Sequence, residues 1–128
     1  MTGTINVRVR YVECDPMGVA HHTVYPVWFE IGRTELLRAT GGNYADMERD
    51  GVLLAVVKLE VTYKQPARYD DELTLETVVS SCGHVKIEHT YVLRRGDDVL
   101  ATGRTVLACL GRDGRPRELP TSIAEHSA

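Results

Sequence analysis

Cysteine is scarce in this chain. There are three, Cys14, Cys82 and Cys109, odd in number, widely spaced and without a CxxC pair. That excludes a disulfide framework and a structural zinc site, and it fits a reducing cytoplasm. Positive charge is also short: 15 Lys and Arg stand against 18 Asp and Glu, for a net charge of -3. Non-specific nucleic-acid binding needs a basic surface, so that class is excluded too. No apolar run approaches the roughly 20 residues a membrane span requires. The N-terminus lacks the basic start and apolar stretch of a signal peptide. Hydrophobic residues make up 43% and charged residues 26% of the 128, an ordinary balance that lets one domain bury a core without disulfides or metal. The expectation is a soluble, cytoplasmic protein, with residues 1–128 as one domain.

What is present is a change of period along the chain. Ile5, Val7, Val9 and Tyr11 alternate with Asn6, Arg8 and Arg10, which predicts a half-buried strand. A turn-rich loop follows, Glu13-Cys14-Asp15-Pro16-Met17-Gly18. One long helix is expected over about Thr23–Thr40, with Thr23 as N-cap, Pro26 in the first turn and Gly41-Gly42 ending it. Its apolar residues, among them Val24, Val27, Trp28, Phe29, Ile31, Leu36 and Leu37, cover more than one narrow stripe, so much of the helix should be buried. Gly32 would let a sheet approach closely. A short polar helix is expected over about Tyr44–Asp50.

The period then becomes two. Strands are expected at Val57–Tyr63, Leu73–Val79, Val85–Leu93 and Val99–Leu110, with Pro66–Asp71 and Arg95-Gly96-Asp97-Asp98 as turns. Strand, buried helix and four more strands give an α+β fold with a mainly antiparallel five-stranded sheet. One helix can cover one face of such a sheet. The remaining edges and face call for a homo-oligomer. The tail after Gly111 carries little signal.

Chemistry concentrates between Tyr11 and Arg38. An acid, Asp15, sits in a Pro/Gly loop just before the helix. The free N–H groups at a helix start carry roughly half a positive charge and bind anions or a developing oxyanion. A carboxylate beside such donors makes acyl transfer chemically reasonable: the acid attacks a carbonyl or activates water while the N–H groups take up charge on oxygen. A thioester suits this arrangement because its leaving thiolate is stable.

The run Arg10-Tyr11-Val12-Glu13-Cys14-Asp15-Pro16-Met17-Gly18-Val19-Ala20-His21-His22-Thr23-Val24-Tyr25-Pro26-Val27-Trp28-Phe29-Glu30 resembles the signature of the 4-hydroxybenzoyl-CoA thioesterase family, especially its Tol-Pal-associated (YbgC-type) acyl-CoA thioesterase branch. Gly32-Arg33-Thr34-Glu35-Leu36-Leu37-Arg38 and Tyr63-Lys64-Gln65-Pro66-Ala67-Arg68-Tyr69-Asp70-Asp71 are similar to that branch as well. The resemblance implies a hotdog fold, a sheet wrapped around one long central helix. It also implies subunits paired sheet edge to sheet edge, active sites at the dimer interface, and tetramers in many members. It implies hydrolysis of acyl-CoA without a cofactor. Asp15 matches the catalytic aspartate, as nucleophile or general base. His22 matches the position whose backbone N–H polarises the thioester carbonyl. Tyr25 matches a tyrosine beside the acyl pocket, and Gly18, Val19 and Trp28 join it as substrate-binding candidates. One departure stands out. Where some relatives carry a basic cluster for the nucleotide phosphates, this chain reads Ser80-Ser81-Cys82-Gly83-His84-Val85-Lys86. Lys86 is the leading cation there, with His84, Arg68, Arg94 and Arg104 as substitutes.

Blander readings compete. Asp15 before Pro-x-Gly is an ordinary turn former. His21 and His22, with Asp15 or Glu30, suggest a metal, but adjacent residues on a regular element point apart and no HxxxH or HxH spacing occurs, so no metal is expected. Cys14 lies between acids that raise its pKa, which disfavours a thiolate nucleophile. Glu30 is placed to hydrogen-bond the catalytic loop, and it or Glu35 is a fallback catalyst; Glu35 reads more simply as an ion pair with Arg38 or Arg33. Trp28, Phe29 and His89 read as core, His89 as a satisfied core histidine. Two further functions share the fold: a dehydratase or hydratase on acyl chains, and a non-catalytic dimer that binds acyl-CoA or an acyl carrier protein.

Overall fold

The computed structural model describes residues 1–126, with side chains through residue 123, so the last two residues of the expected 1–128 domain lie outside the described residues. The alternating segments form β1 (Thr2–Arg8), β2 (Leu53–Tyr63), β3 (Glu72–Cys82), β4 (Lys86–Arg95) and β5 (Asp98–Leu110). They make one sheet in the order β1-β3-β4-β5-β2, with every neighbouring pair antiparallel. Gly96, at φ +60°, helps turn β4 into β5, with Arg95 and Asp98 as the last paired residues. The helices are α1 (Tyr25–Ala39), α2 (Tyr44–Arg49) and α3 (Thr121–His126).

The central helix lies across the sheet because both surfaces permit contact there. Trp28 and Phe29 are fully buried against Leu73 and Leu75 of β3, Tyr91 and Leu93 of β4, and Leu100 and Ala101 of β5. Phe29 stacks flat on Tyr91, with ring centroids 4.2 Å apart and planes 8° from parallel. Two glycines make the approach. A Cβ on Gly32 would stand 2.5 Å from Thr77 Oγ1 and 2.8 Å from Leu75 Cδ2, and one on Gly103 would overlap the Phe29 ring.

Several boundaries differ from the sequence reading. β1 stops at Arg8, and Tyr11–Glu13 is a single 3-10 turn that leaves Tyr11 80% exposed. The turn forms because Glu13 Oε1 accepts from the Arg10 N–H at 2.8 Å, a local bond that strand pairing would forfeit. Thr23 is not the N-cap. A 3-10 turn at His22–Val24 precedes α1, and its cap is His21, whose ring accepts from the Thr23 N–H. β2 begins four residues earlier than Val57, at Leu53, and carries a bulge between Val56 and Lys58. The tail after Gly111 is built into the molecule: Leu119 and Ile123 are buried with Val52, Ile87, Leu107 and Cys109 in a second cluster.

α1 leaves part of the inner sheet face uncovered. The backbone of α1 comes closest to β1 and β3, and the Phe29 ring reaches β4 and β5. The inner face near β2 stays uncovered, and Val56, Val57, Leu59 and Tyr63 of this edge strand remain about half exposed, as do Val27 and Ile31 of α1.

Candidate active site

Asp15 is held by a tight loop. Its backbone N–H donates to Val19 O at 2.9 Å, its carbonyl accepts from the Gly18 N–H at 2.9 Å, and its Oδ1 accepts from the Met17 N–H at 2.9 Å. Gly18, at φ +77°, takes the left-handed turn position that a side chain would strain. One carboxylate oxygen is thus anchored, while Oδ2 has no hydrogen-bond partner among the described residues. The loop is tied to the body by bridges pairing Cys14 with Ala20 and Val19 with Arg68, and by the Ala20 N–H on Ala67 O at 2.7 Å.

The main anchor is a residue that sequence reasoning passed over. Glu13 is 6% exposed. Its Oε2 accepts from the Trp28 indole N–H at 3.0 Å and from the Arg10 guanidinium at 3.3 Å, and its carbonyl accepts from the His21 N–H at 2.9 Å. This one residue therefore joins the helix and the turn before the loop through its carboxylate, and the turn after the loop through its carbonyl. Trp28, a substrate-binding candidate, is 1% exposed in the core and does not line the cleft. Its role is to hold Glu13. Glu30, expected to bond the loop, makes no such bond among the described residues and instead lines a groove farther along α1.

Asp15, His22 and Tyr25 do meet in one cleft, with Tyr63, Lys64 and Gln65. His22 opens its 3-10 turn, so its N–H has no partner one turn back, and no hydrogen bond among the described residues uses it. Its carbonyl accepts from the Tyr63 hydroxyl at 2.7 Å. Tyr63 in turn meets Tyr25 edge to face, with centroids 4.9 Å apart. Burial pushes the hydroxyls of both tyrosines up, so both stay neutral near pH 7. Tyr63, Lys64 and Gln65 fall in a segment that resembles the family but that the resemblance gives no role. They stand at and just after the end of β2, about fifty residues from Asp15, so no local signal links them to it.

The remaining candidates are scattered. Gly18 and Val19 shape the loop but do not line the cleft. Lys86 begins β4 at the sheet end opposite the Asp15 loop. Arg94 and Arg104 are held in ion pairs, Arg94 by Glu76 and Arg104 by Glu60 and Glu88. Arg68 makes none among the described residues. Glu35 pairs with Arg38. The rings of His21 and His22 do not diverge as a regular element would make them; their centroids lie 4.2 Å apart, because His21 is the cap and lies outside the turn. Burial pushes the Cys14 thiol up, and Asp15 and Glu13 add to this, so it is held as a thiol. All three cysteines are free.

With this geometry in place, the comparisons with known proteins are specific. Residues 9–126 match the model of the thioesterase-like superfamily, and the chain belongs to that family. Over 119 residues it is 33% identical to the acyl-CoA thioester hydrolase YbgC of Escherichia coli O6:H1, covering 91% of this chain and 89% of that protein. YneP of Bacillus subtilis is 39% identical over 85 residues, which cover 66% of this chain and 62% of YneP. The solved structure of the DHNA-CoA thioesterase of Staphylococcus aureus superposes with a TM-score of 0.91 at 29% identity, covering 98% of this chain and 85% of that one. The fold is the hotdog fold of these thioesterases.

Proposed function

We propose that the chain hydrolyses acyl-CoA thioesters to free acid and CoA, as one domain without metal or cofactor, in the cytoplasm. The observation that carries this reading is the pairing, in one cleft, of the free Oδ2 of Asp15 with the unclaimed N–H of His22. A substrate carbonyl oxygen accepting from that N–H would have its carbon in the cleft that Asp15 also lines. Asp15 attacks that carbon, or directs a water at it, and the charge that develops on oxygen is met by a preorganised main-chain donor. The thiolate leaves without needing a strong acid. Family membership and the named relatives support the same chemistry.

The reading includes a dimer at least, and a tetramer where dimers pair. β2 is an edge strand with a half-exposed apolar face, an arrangement that invites strand pairing. A two-fold pairing of β2 with its copy runs the strands antiparallel. It brings the partner's opposite sheet end, where β4 starts, toward this subunit's Asp15 loop. Lys86 of the partner subunit, with Lys64 and Arg68 of this one, would then face the CoA phosphates.

Asp15→Asn tests the proposal. The amide keeps the Met17 bond and the fold but cannot attack or accept a proton, so kcat on a panel of short, long and aromatic acyl-CoAs should fall by at least about a thousandfold. Wild-type turnover in that variant would overturn the assignment. Hydration of 2-enoyl-CoA, assayed alongside, separates the hydratase reading. Tight ester binding with no acid released by the wild type would favour the non-catalytic one.

A further inference from the structure

Beneath the middle of α1 the inner sheet face turns polar. Thr77, His89, Tyr91 and Thr105 are neighbours across β3, β4 and β5: Tyr91 is opposite Thr77, and His89 is opposite Thr105. None is more than 3% exposed. The Tyr91 and Thr105 hydroxyls satisfy one another at 2.6 Å. Thr77 Oγ1 and His89 Nδ1 have no hydrogen-bond partner among the described residues. His89 is a core residue, as the sequence suggested, but it is not a satisfied one. An orphan of this kind is a desolvation cost that an apolar residue would avoid. Thr77 lies beneath Gly32 of α1, but His89 lines a cavity, where a ligand could meet its orphaned nitrogen.

Arg33 reaches over this seam from α1. Its charge acts on His89, Tyr91 and Tyr44, and it makes no ion pair among the described residues. Arg33, Tyr44 and His89 line one half-open cavity of about 30 Å³ whose other walls are mostly apolar, such as Leu36, Leu54 and Ile87. That space suits a terminal group and no more. Glu30 and Glu48 line the adjoining hollow, not this one. Back toward the active site, Arg33 and Glu30 also border an apolar hollow with Val27 and Leu59. Leu59 and Tyr63 share a strand face, and Tyr63 lines the Asp15 cleft. Arg33 is common to this hollow and the cavity, and the strand face from Tyr63 to Leu59 leads from the cleft to the hollow, which sets out a track along α1.

Resting on the thioesterase reading, we propose that the acyl group lies along this track, and that the cavity formed by Arg33, His89 and Tyr44 selects acyl groups ending in a carboxylate. The guanidinium, which makes no ion pair among the described residues, supplies charge. The neutral imidazole and the tyrosine hydroxyl, which burial pushes up to about 12, supply donors. From Tyr25 to Arg33 the helix rises about 12 Å, the reach of about eight to ten extended carbons. The substrate class is thus a medium-chain acyl-CoA with an ω-carboxylate.

The test compares decanoyl-CoA with its ω-hydroxy and ω-carboxy counterparts. Wild-type kcat/KM should favour the ω-carboxy ester over decanoyl-CoA by about tenfold or more, with the ω-hydroxy ester between them. Arg33→Met should bring the ratio to about one, and Arg33→Lys should restore part of it. Binding of the three esters to Asp15→Asn protein, followed by calorimetry, should show the same order without turnover. An equal preference in the wild type, or a ratio unmoved by Arg33→Met, overturns the inference while Asp15-dependent cleavage still stands. If none of the esters is cleaved, the thioesterase reading falls and this inference falls with it.

Discussion

His89 should make the protein acid-sensitive in a window where carboxylates are not yet titrating. Burial, helped by Arg33, pushes its pKa down from 6.5 to about 4. The groups facing it are Arg33 from α1, Tyr44 from α2 and Tyr91 on its own strand, and none of them is a carboxylate. Above the unfolded value the ring is neutral in both states and contributes nothing. As pH falls below 6.5 the unfolded chain takes up a proton that the fold refuses, so stability drops, and the loss levels off once the pH is below about 4. The full gap corresponds to about 3 kcal/mol, of which about 2 kcal/mol is lost between about pH 7.5 and about pH 5. For a chain of this length that lowers the melting midpoint by roughly 6–10 °C. His89→Leu removes the titrating ring and one orphaned nitrogen. Its midpoint should therefore fall much less over the same interval, measured by thermal denaturation at one fixed protein concentration. Parallel pH dependence in the two proteins would refute the reasoning, since the proton would then be taken up elsewhere.

Three other perturbations follow from contacts. Glu13→Ala leaves the Trp28 indole N–H and the loop turn without their acceptor; it should cost about 2–4 kcal/mol in urea denaturation and lower kcat while Asp15 is still present. Gly32→Ala drives a methyl into Thr77 and Leu75; it should cost about 1–3 kcal/mol, and a neutral result would mean that α1 is free to lift off the sheet. Leu59→Lys places a charge on the half-exposed apolar face of β2; it should shift the species seen by light scattering toward monomer and reduce turnover with it, and an unchanged oligomer would exclude β2 as the pairing edge.

What the sequence revealed, and what it withheld, divides by range. Period-two alternation found all four strands after the helix, and Pro26 with the Gly41-Gly42 pair bracketed α1 to within about two residues. Those signals are local. The errors came where a side chain reached for a distant or competing partner. The start of α1 was misplaced because a histidine ring, not Thr23, caps the turn before it. The end of β1 was misplaced because Glu13 turned inward to Arg10. A buried Glu cannot be told from a surface one by spacing alone; its partner Trp28 lies 15 residues away. The tail looked empty because its two anchors, Leu119 and Ile123, are four residues apart with little else apolar around them. Asp15, His22 and Tyr25 were found by likeness to a family, and the structure brings them to one cleft. Tyr63 comes from a different strand, and the likeness gives it no role.

The unfinished side of the fold and the site are linked. α1 sits toward β1 and β3, and this leaves the track from Tyr63 to Arg33 open along the same flank as the unpaired edge of β2. An open track binds an acyl chain poorly, because water competes for the apolar walls that hold it. It also leaves Arg33 solvated, where its attraction for a carboxylate is weak. Pairing along β2 would cover the strand and the track in one step, raising both the apolar gain and the electrostatic one. Substrate selection at the far cavity should therefore weaken with dilution below the dimer constant. A selectivity ratio that holds while the protein dissociates would show that the single subunit already closes its own site.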